Sequence, residues 1–388
     1  MSTMKVCVLF RPLNSKELSE FGDAVSVQGI SSESFIIKDE KEQEFDFTFD
    51  RVFYQGSEQA DIYEFLALPT VQGALDAING TIITYGQTGA GKTYSMEGPS
   101  IVDCESKKKG LLQRVVDGLF EATINSKKPS KYTIKLSMIY MEKVRDLFDL
   151  SKDNIQIKES KVQGVVLNGA TEVNISNPAE ALQSLSSGIA NRAVGETQMN
   201  MSSSRSHCLY IFTIQQDLTK DKRTEFGKLI LVDLAGSEKV EKTGDEGKIL
   251  EEAKTINQSL TALGKVINAM TSSIPGKPTH IPYRDSKLTQ ILQDALLRER
   301  LTAEDVQLLE KLFVLEGIFF YPNSVDEIEA AYEDVTSRTI SSLHKALEEL
   351  SKGVEKMKRE NASLKASLKA SEEFYQHQLE RRPLCLIL

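Results

Sequence analysis

The feature that most constrains this chain is a glycine-rich segment, Gly86-Gln87-Thr88-Gly89-Ala90-Gly91-Lys92-Thr93, which follows a β-branched run at residues 81–85. Its pattern is G-x-x-x-x-G-K-T, and the preceding run is typical of a strand. Glycines let such a loop fold back so that its amides converge on phosphate oxygens. Lys92 is then expected to reach the β- and γ-phosphates, and the Thr93 hydroxyl to ligate Mg²⁺. A chance glycine-rich turn is the alternative, and the strand upstream argues against it.

Composition and charge narrow the class of protein. The 388 residues are 40% hydrophobic and 27% charged, which is enough apolar material for a core. Because no apolar run approaches 18 residues and the start lacks a signal-peptide pattern, a cytoplasmic location is expected. Four widely spaced cysteines predict neither a zinc site nor a disulfide framework. A net charge of −9 argues against nucleic acid as a partner.

Strand and helix patterns alternate along the first three quarters of the chain. Met4–Phe10 indicates a buried strand that ends at Arg11, and the alternation in Phe45–Asp50 indicates a strand with its phenylalanines inward. Helical patterns cover residues 57–77 and 111–122. Further strands are predicted at Ser34–Lys38, Tyr132–Tyr140, Gly164–Leu167, Cys208–Gln215 and Lys228–Val232. This order predicts a three-layer α/β/α fold around a central sheet.

Two further segments complete a predicted nucleotide site. A hydroxyl-rich loop, Asn200–His207, leads into a strand, and the buried strand Leu229–Val232 ends in D-L-A-G-S-E. Asp233, at that strand end, is placed to hold Mg²⁺ through water, and Gly236 can present a bare amide to a γ-phosphate. Either segment alone could be an ordinary loop. The three motifs in this order favour a site that hydrolyses a nucleoside triphosphate.

The motifs G-Q-T-G-A-G-K-T, N-x-x-S-S-R-S-H and D-L-A-G-S-E stand in the order found in kinesins, and the chain resembles the kinesin motor domain. The resemblance runs from about Lys5 to Leu296 and includes residues 49–53, 257–264 and 280–289. It implies a P-loop NTPase fold and a motor that hydrolyses ATP and binds microtubules. A small GTPase is the less favoured alternative, because the guanine motif N-K-x-D is absent.

The resemblance also implies roles for individual residues. Ser204 would contact Mg²⁺, and Ser203 the γ-phosphate region or the attacking water. Arg205 and Glu238 would form the ion pair that closes the two switch loops; otherwise they are a solvated pair worth under about 1 kcal/mol. The implied catalytic residues are Asn200, Ser203, Ser204, Arg205, Asp233, Gly236 and Glu238. Arg11 and Pro12 join residues 86–93 in contacting the nucleotide.

A set of basic side chains is expected on the face that binds microtubules. Tubulin has an acidic surface, so a local basic cluster would steer association although the whole chain is negative. A basic cluster is otherwise simply a solvated face. The residues implied by the resemblance are Lys239, Lys242, Lys248, Lys277, His280, Arg284 and Lys287.

Two departures from the kinesin pattern affect what the chain is expected to do. Leu9 replaces an arginine and Ile78 an aromatic residue near the adenine pocket, which predicts weaker adenine recognition; affinity equal to that of kinesins carrying both groups would contradict this. After Leu296 the family continues with an interior strand, a helix and the neck linker, whereas this chain passes directly to residues 297–300. A motor of residues 4–296 would therefore lack an interior strand and the lever for stepping.

The C-terminal quarter has a helical pattern of its own. Capping-box starts at Thr302 and Ser324 predict a helical segment over residues 297–338. A heptad pattern over residues 339–380, with Asn361 at an a position, favours a parallel homodimer through residues 340–379; the alternative is one amphipathic helix packed on the motor. Residues 381–388 form an apolar tail ending in C-a-a-X, so membrane association is expected only if Cys385 is prenylated.

Two functions therefore remain open at the level of sequence. The leading one is an ATP-driven microtubule motor located in the cytoplasm on the microtubule cytoskeleton. The alternative is a motility-deficient isoform that dimerises through the coiled coil and acts as an inhibitory or structural partner. The missing strand and neck linker favour the alternative.

Overall fold

A computed structural model describes residues 5–22, 27–38, 43–126, 130–141, 144–160, 164–198, 206–218, 223–238, 258–267, 269 and 280–294. The chain divides into two units, Met1–Glu316 and Gly317–Leu388, and every described residue lies in the first. The predicted helical segment 297–338, the coiled coil 339–380 and the tail 381–388 lie outside the described residues. No helix within the described ranges is long and apolar enough to span a bilayer.

The structure contains strands and helices in the regions where the sequence patterns predict them, together with elements that the patterns did not predict. The strands are β1 (Cys7–Leu9), β2 (Val27–Gly29), β3 (Ser34–Lys38), β4 (Glu44–Thr48), β5 (Arg51–Phe53), β6 (Gly80–Thr84), β7 (Ser130–Tyr140), β8 (Arg145–Asp146), β9 (Gln156–Ser160), β10 (Gly164–Asn168), β11 (Val173–Ile175), β12 (Cys208–Leu218) and β13 (Thr224–Asp233). The helices are α1 (Ser15–Phe21), α2 (Gln59–Ile62), α3 (Leu68–Leu75), α4 (Lys92–Glu97), α5 (Leu111–Ile124), α6 (Pro178–Gln198), α7 (258–267) and α8 (Lys287–Ile291). A π-helical turn, Tyr63–Ala67, joins α2 to α3.

A six-stranded mixed sheet lies at the centre of the fold. Its order is β11-β7-β12-β13-β6, and β8 also pairs with β7. Strands β7, β12 and β13 are antiparallel, whereas β6 runs parallel to β13 in a register that places Thr84 opposite Asp233. This register brings the end of β13 beside the loop that follows β6.

Helices cover both faces of the central sheet. On one face, α3, α5 and α6 contribute Val71, Leu112 and Leu185 to a fully buried apolar cluster. On the other face, α7 and α8 contribute Leu263 and Leu288 to a second cluster. Strands buried on both faces have near-continuous apolar sequences, which explains the composition of β12 and β13. The predicted three-layer α/β/α arrangement is confirmed.

A three-stranded antiparallel sheet, β2-β3-β4, lies apart from the central one. The rings of Phe35, Phe47 and Phe49 stack on one another inside it, with centroids 5.5–6.4 Å apart. Side chains alternate between the two faces of a strand, so a phenylalanine at every second residue builds one apolar face. The inward orientation predicted for the phenylalanines of Phe45–Asp50 is confirmed for Phe47 and Phe49, which are almost fully buried.

Among the described residues, the first strand of the chain pairs outside the central sheet. Within the described ranges, β1 pairs only with β5, and β6 is the last strand on its side of the six-stranded sheet. Cys7 of β1 and Ile82 of β6 nevertheless pack against the same apolar cluster. Leu9 and Ile83, one on each strand, are 37% and 36% exposed. Among the described residues, β1 and β6 therefore belong to separate sheets, whereas the missing interior strand stays a prediction from the sequence.

Candidate nucleotide-binding site

The phosphate loop lies between β6 and α4, in the strand–loop–helix context that the motif requires. Gly89 and Gly91 have φ angles of 82° and 97°. These left-handed conformations strain any residue with a side chain, so the loop needs glycine at both positions. Helix α4 begins at Lys92, and the Ser95 amide donates to the Gly91 carbonyl at 2.8 Å.

The Lys92 side chain folds back over this loop. Its ammonium donates to the Gln87 carbonyl at 2.8 Å, and the residue is only 9% exposed. Burial lowers the pKa of Lys92, whereas the nearby carboxylates of Asp233 and Glu238 raise it. Carboxylates therefore hold a largely desolvated cation at the loop, which is the position where the motif predicts a phosphate contact.

Thr93 and Asp233 meet at the start of α4. The Thr93 hydroxyl donates to Oδ2 of Asp233 at 2.8 Å, although the two residues are far apart in sequence. Asp233 is 1% exposed, and its Oδ1 is buried without a hydrogen-bond partner in the part of the chain that the structure describes. A buried carboxylate oxygen left unpaired is costly. Hydroxyl and carboxylate oxygens are the ligands that Mg²⁺ prefers, so these two residues fit the predicted magnesium site.

A buried ion-pair network lies behind the magnesium ligands. Arg192 of α6 is 4% exposed and donates to Oδ2 of Asp233 at 3.0 Å and to Oε1 of Glu97 at 3.1 Å. The Tyr210 hydroxyl donates to the same Glu97 oxygen at 2.5 Å. This network was not predicted from the sequence. One feature of the sequence could have indicated that Arg192 is buried. Arg192 lies on the same face of α6 as the buried residues Ala181 and Leu185.

The segment after Asp233 is anchored on the phosphate loop. The Glu238 carboxylate accepts from the Thr88 amide at 2.9 Å and from the Thr88 hydroxyl, and the Ser237 amide donates to the Gly86 carbonyl at 3.2 Å. A Cβ on Gly236 would lie 2.3–2.5 Å from the Glu238 carboxylate and the Thr88 hydroxyl, so a larger residue there would displace these two side chains. The Glu238 carboxylate thus accepts a hydrogen bond from the Thr88 amide, which the motif predicts to bind phosphate.

Buried His207 joins this segment to α7. Its Nδ1 accepts from the Ala235 amide at 2.9 Å, and its Nε2 lies 2.6 Å from the Ser259 hydroxyl. Because Nδ1 accepts a hydrogen bond, the neutral ring carries its proton on Nε2. Burial, together with the charges of Arg192 and Lys92, lowers the pKa of His207 to about 3. The ring is therefore neutral at physiological pH, and it was not predicted as a site residue.

We expect His207 to make the fold sensitive to acid. Between pH 6.5 and 3 the unfolded chain protonates this ring and the folded chain does not, so the free energy of unfolding falls as pH falls. The loss attributable to His207 is about 2 kcal/mol between pH 7 and pH 5. In His207→Gln, the free energies of unfolding measured with urea at pH 7 and at pH 5 should differ by about 2 kcal/mol less than in the unmodified chain. The exposed His280 is the matched control, and an equal effect of His280→Gln would contradict the assignment.

The remaining predicted site residues divide into those inside and those outside the described ranges. Arg11 reaches the phosphate loop, where its Nε donates to the Gly89 carbonyl at 2.6 Å and its terminal nitrogens bind Glu17. This contact lowers the pKa of Glu17 to about 2. Three predicted microtubule contacts are exposed: His280, Arg284 and Lys287. Residues outside the described ranges are Asn200, Ser203, Ser204, Arg205, Lys239, Lys242, Lys248 and Lys277.

The site has the parts that define a P-loop NTPase. These are a strand followed by a glycine-rich loop, a lysine and threonine that begin a helix, and an aspartate at the end of the adjacent parallel strand. The family model of the kinesin motor domain matches residues 10–303. The chain therefore belongs to the kinesin family. Its function is that of a microtubule motor that binds and hydrolyses ATP, and its ATPase is of the microtubule-stimulated kind.

Plant relatives align along most of the chain. Kinesin-like protein KIN-1 of Arabidopsis thaliana is 52% identical over an alignment 435 positions long, which covers 94% of each chain. Kinesin-like protein KIN-1 of Oryza sativa is 53% identical over an alignment 418 positions long, which covers 89% of this chain and 87% of that protein. The solved structure of a fast kinesin superposes with a TM-score of 0.70 at 39% identity, covering 79% of this chain and 90% of that one.

The alignment lengths indicate an internal difference from the Arabidopsis relative. The aligned 94% of this 388-residue chain amounts to about 365 residues, whereas the alignment is 435 residues long. Roughly 70 aligned positions of the relative, 435 less 365, therefore have no counterpart in this chain. Together these unmatched positions exceed the length of a single strand or loop.

Proposed function

We propose that residues 86–93 bind the phosphates of ATP and that Thr93 and Asp233 hold its Mg²⁺, with Asp233 acting through water. The observation that carries this proposal is the 2.8 Å contact between the Thr93 hydroxyl and the buried Asp233 carboxylate beside the phosphate loop. The Asp233 oxygen that lacks a partner among the described residues supports it further. Bound Mg²⁺ would neutralise charge that develops on the phosphoryl oxygens. Ser204 is proposed as a further ligand from the family resemblance.

The side chains around the phosphate loop suggest how nucleotide binding is coupled to the closing of the two switch loops. A γ-phosphate and the Glu238 carboxylate would compete for the same Thr88 amide, because both are anions that accept hydrogen bonds. ATP would thereby release Glu238 to pair with Arg205, while Gly236 offers its amide to the γ-phosphate. Lys92 would exchange the Gln87 carbonyl for phosphate oxygens. Asn200 and Ser203 are proposed to position the attacking water once the loops have closed.

Removal of the Thr93 hydroxyl tests the magnesium site. In Thr93→Val, Mg²⁺ should no longer strengthen ATP binding, and the Mg²⁺-dependent gain in affinity should fall at least about 10-fold. The measurement is a titration of a fluorescent ATP analogue with and without Mg²⁺. Thr84→Val is the matched control, because its hydroxyl donates to the Val232 carbonyl instead. An unchanged Mg²⁺ effect in Thr93→Val would refute the assignment.

We further propose that the chain binds microtubules through the basic set Lys239, Lys242, Lys248, Lys277, His280, Arg284 and Lys287. A parallel homodimer through residues 340–379 and a location on cytoplasmic microtubules complete this proposal. The exposure of His280, Arg284 and Lys287 supports the microtubule face. The heptad pattern around Asn361 supports the dimer.

A second candidate is a dimerising kinesin subunit that does not step. It is favoured by the divided sheet, in which β1 and β6 are not paired within the described ranges, and by the roughly 70 unmatched positions of the Arabidopsis relative. A chain that passes directly from Leu296 to residues 297–300 lacks the family's neck linker. Without a neck linker, a change of the bound nucleotide could not displace the second motor domain of the dimer.

We expect purified chains to dimerise and bind microtubules without processive runs. Single-molecule fluorescence on immobilised microtubules should show bleaching in two steps, which reports the dimer, and no directed movement with ATP. ATP turnover measured in bulk separates the two candidate functions. A microtubule motor requires that microtubules stimulate ATP turnover, whereas a dimerising subunit that does not step has no such requirement. Directed runs longer than a few steps would contradict the expected loss of stepping, and single-step bleaching would contradict the dimer.

A further inference from the structure

The two carboxylate oxygens of Asp233 have different surroundings. Oδ2 accepts hydrogen bonds from the Thr93 hydroxyl at 2.8 Å and from Nη1 of Arg192 at 3.0 Å. Oδ1 is buried and accepts none from the residues that the structure describes. Each carboxylate oxygen can accept about two hydrogen bonds, so Oδ1 is the oxygen whose capacity is unused. The two donors to Oδ2 therefore determine which oxygen of Asp233 remains for a further partner.

Both of these donors are linked to the helix that follows the phosphate loop. Thr93 is the second residue of α4, and Glu97 is the last residue of the same helix. Nη1 of Arg192, which lies 3.0 Å from Oδ2 of Asp233, also lies 3.1 Å from Oε1 of Glu97. Helix α4 therefore holds the Asp233 carboxylate twice, directly through Thr93 and indirectly through Arg192.

Tyr210 fixes the other end of this chain of contacts. Its hydroxyl donates to Oε1 of Glu97 at 2.5 Å, and its side chain is fully buried in β12. Strand β12 pairs with β13, the strand that ends in Asp233. The central sheet thus supplies both the carboxylate that is held and the hydroxyl that anchors the network. Hydrogen bonds in such a buried network are strong, because water does not compete for them.

The charges of the network suit a site for a metal ion. A buried arginine beside Asp233 would repel a divalent cation if its charge were not balanced. Glu97 balances it, because the Arg192–Glu97 pair carries no net charge. The negative charge of Asp233 is therefore retained for a cation, although an arginine lies within hydrogen-bond distance of its carboxylate.

We propose that Arg192 is a positioning residue of the magnesium site. Together with Thr93 it holds Oδ2 of Asp233, so that Oδ1 remains available to Mg²⁺ through water, and Glu97 and Tyr210 keep Arg192 in place. The inference rests on the proposed assignment of Mg²⁺ to Thr93 and Asp233, and it adds the side chains that orient them. Partners that orient a metal ligand in this way commonly affect metal affinity 10–100-fold.

A variant that conserves charge separates orientation from electrostatics. In Arg192→Lys the cation remains, but the lysine nitrogen is one bond closer to the backbone than Nη1 and cannot keep both contacts. The gain in affinity for a fluorescent ATP analogue on addition of Mg²⁺ should fall about 10-fold. Affinity in EDTA should change by less than about twofold, because the phosphate loop keeps its own donors. Arg145→Lys is the matched control, since Arg145 pairs with Asp153 outside the site.

Tyr210→Phe is a second variant that leaves every charge in place. It removes one donor to Glu97 and keeps the buried ring, so the Mg²⁺-dependent gain in affinity should fall about 3-fold. Tyr54→Phe should leave the gain unchanged, because the Tyr54 hydroxyl donates to backbone carbonyls outside the site. The effects of Tyr210→Phe and Arg192→Lys should be non-additive when combined, since Tyr210 acts through the arginine. If Arg192→Lys does not fold, the Tyr210→Phe result decides.

The outcomes distinguish this inference from the magnesium site on which it rests. If the gain is lost in Thr93→Val but kept in Arg192→Lys and Tyr210→Phe, the magnesium site stands and the role of Arg192 is rejected. An equal loss of affinity with and without Mg²⁺ in these two variants also rejects it, because the network then supports the fold alone. If Mg²⁺ gives the unmodified chain no gain, or Thr93→Val keeps the full gain, the site and the positioning role fail together.

Discussion

Replacement of Lys92 by alanine is expected to lower microtubule-stimulated ATP turnover by about 10²–10³-fold. Lys92 is the cation at the phosphate loop, and its ammonium is almost fully desolvated. Charge developing on the transferred phosphoryl group is stabilised strongly by a fixed cation in such a site, because water does not screen it. The measurement is steady-state phosphate release with and without microtubules, accompanied by thermal unfolding to verify the fold.

Lys107→Ala provides the control for this prediction. Lys107 lies in a short helical turn before α5, where it is exposed, and its ammonium pairs with Glu58 at 3.4 Å. Its removal should leave turnover within about twofold, since exposed ion pairs contribute little. Comparable turnover in Lys92→Ala and Lys107→Ala would show that hydrolysis does not use this loop. A loss in Lys92→Ala with an unchanged Tm would assign the effect to chemistry rather than folding.

Replacement of Arg192 by alanine should lower the free energy of unfolding by about 3–5 kcal/mol. Arg192 holds two carboxylates, Glu97 and Asp233, at a site where all three side chains are largely buried. Its removal leaves these carboxylates without their cation in a medium of low dielectric constant. Chemical unfolding of the full chain gives the measurement, read as the shift of the denaturation midpoint at an unchanged slope.

Arg284→Ala is the matched control for Arg192. Arg284 contacts Glu159 at 3.3 Å, but both side chains are at least half exposed. That pair should contribute under about 1 kcal/mol, because solvent screens it. If the two alanine variants had equal midpoints, the buried network would not stabilise the fold. Arg192→Lys should recover part of the loss, since it restores the charge without the planar fork of donors.

The sequence by itself determined the elements whose signals are local. The alternating phenylalanines at Phe45–Asp50 predicted the inward face of β4, because side chains of a strand alternate with a period of two. The motif at Gly86–Thr93 predicted the strand, the loop and the helix start, since left-handed glycines and a helix-opening lysine lie within eight consecutive residues. These predictions needed no knowledge of which distant segments meet.

The tertiary structure alone decided the contacts between segments distant in sequence. Thr88 and Glu238 are 150 residues apart, and Arg192 and Glu97 are 95 residues apart. Nothing local to either residue specifies such a partner, so a buried arginine and a buried histidine were missed. The position of β6 at the end of the central sheet, as far as the described residues show it, is likewise a property of strand order rather than of the strand's own sequence. Strand order fixes which side chains are buried together, and burial turns ordinary charges into a network whose disruption is costly.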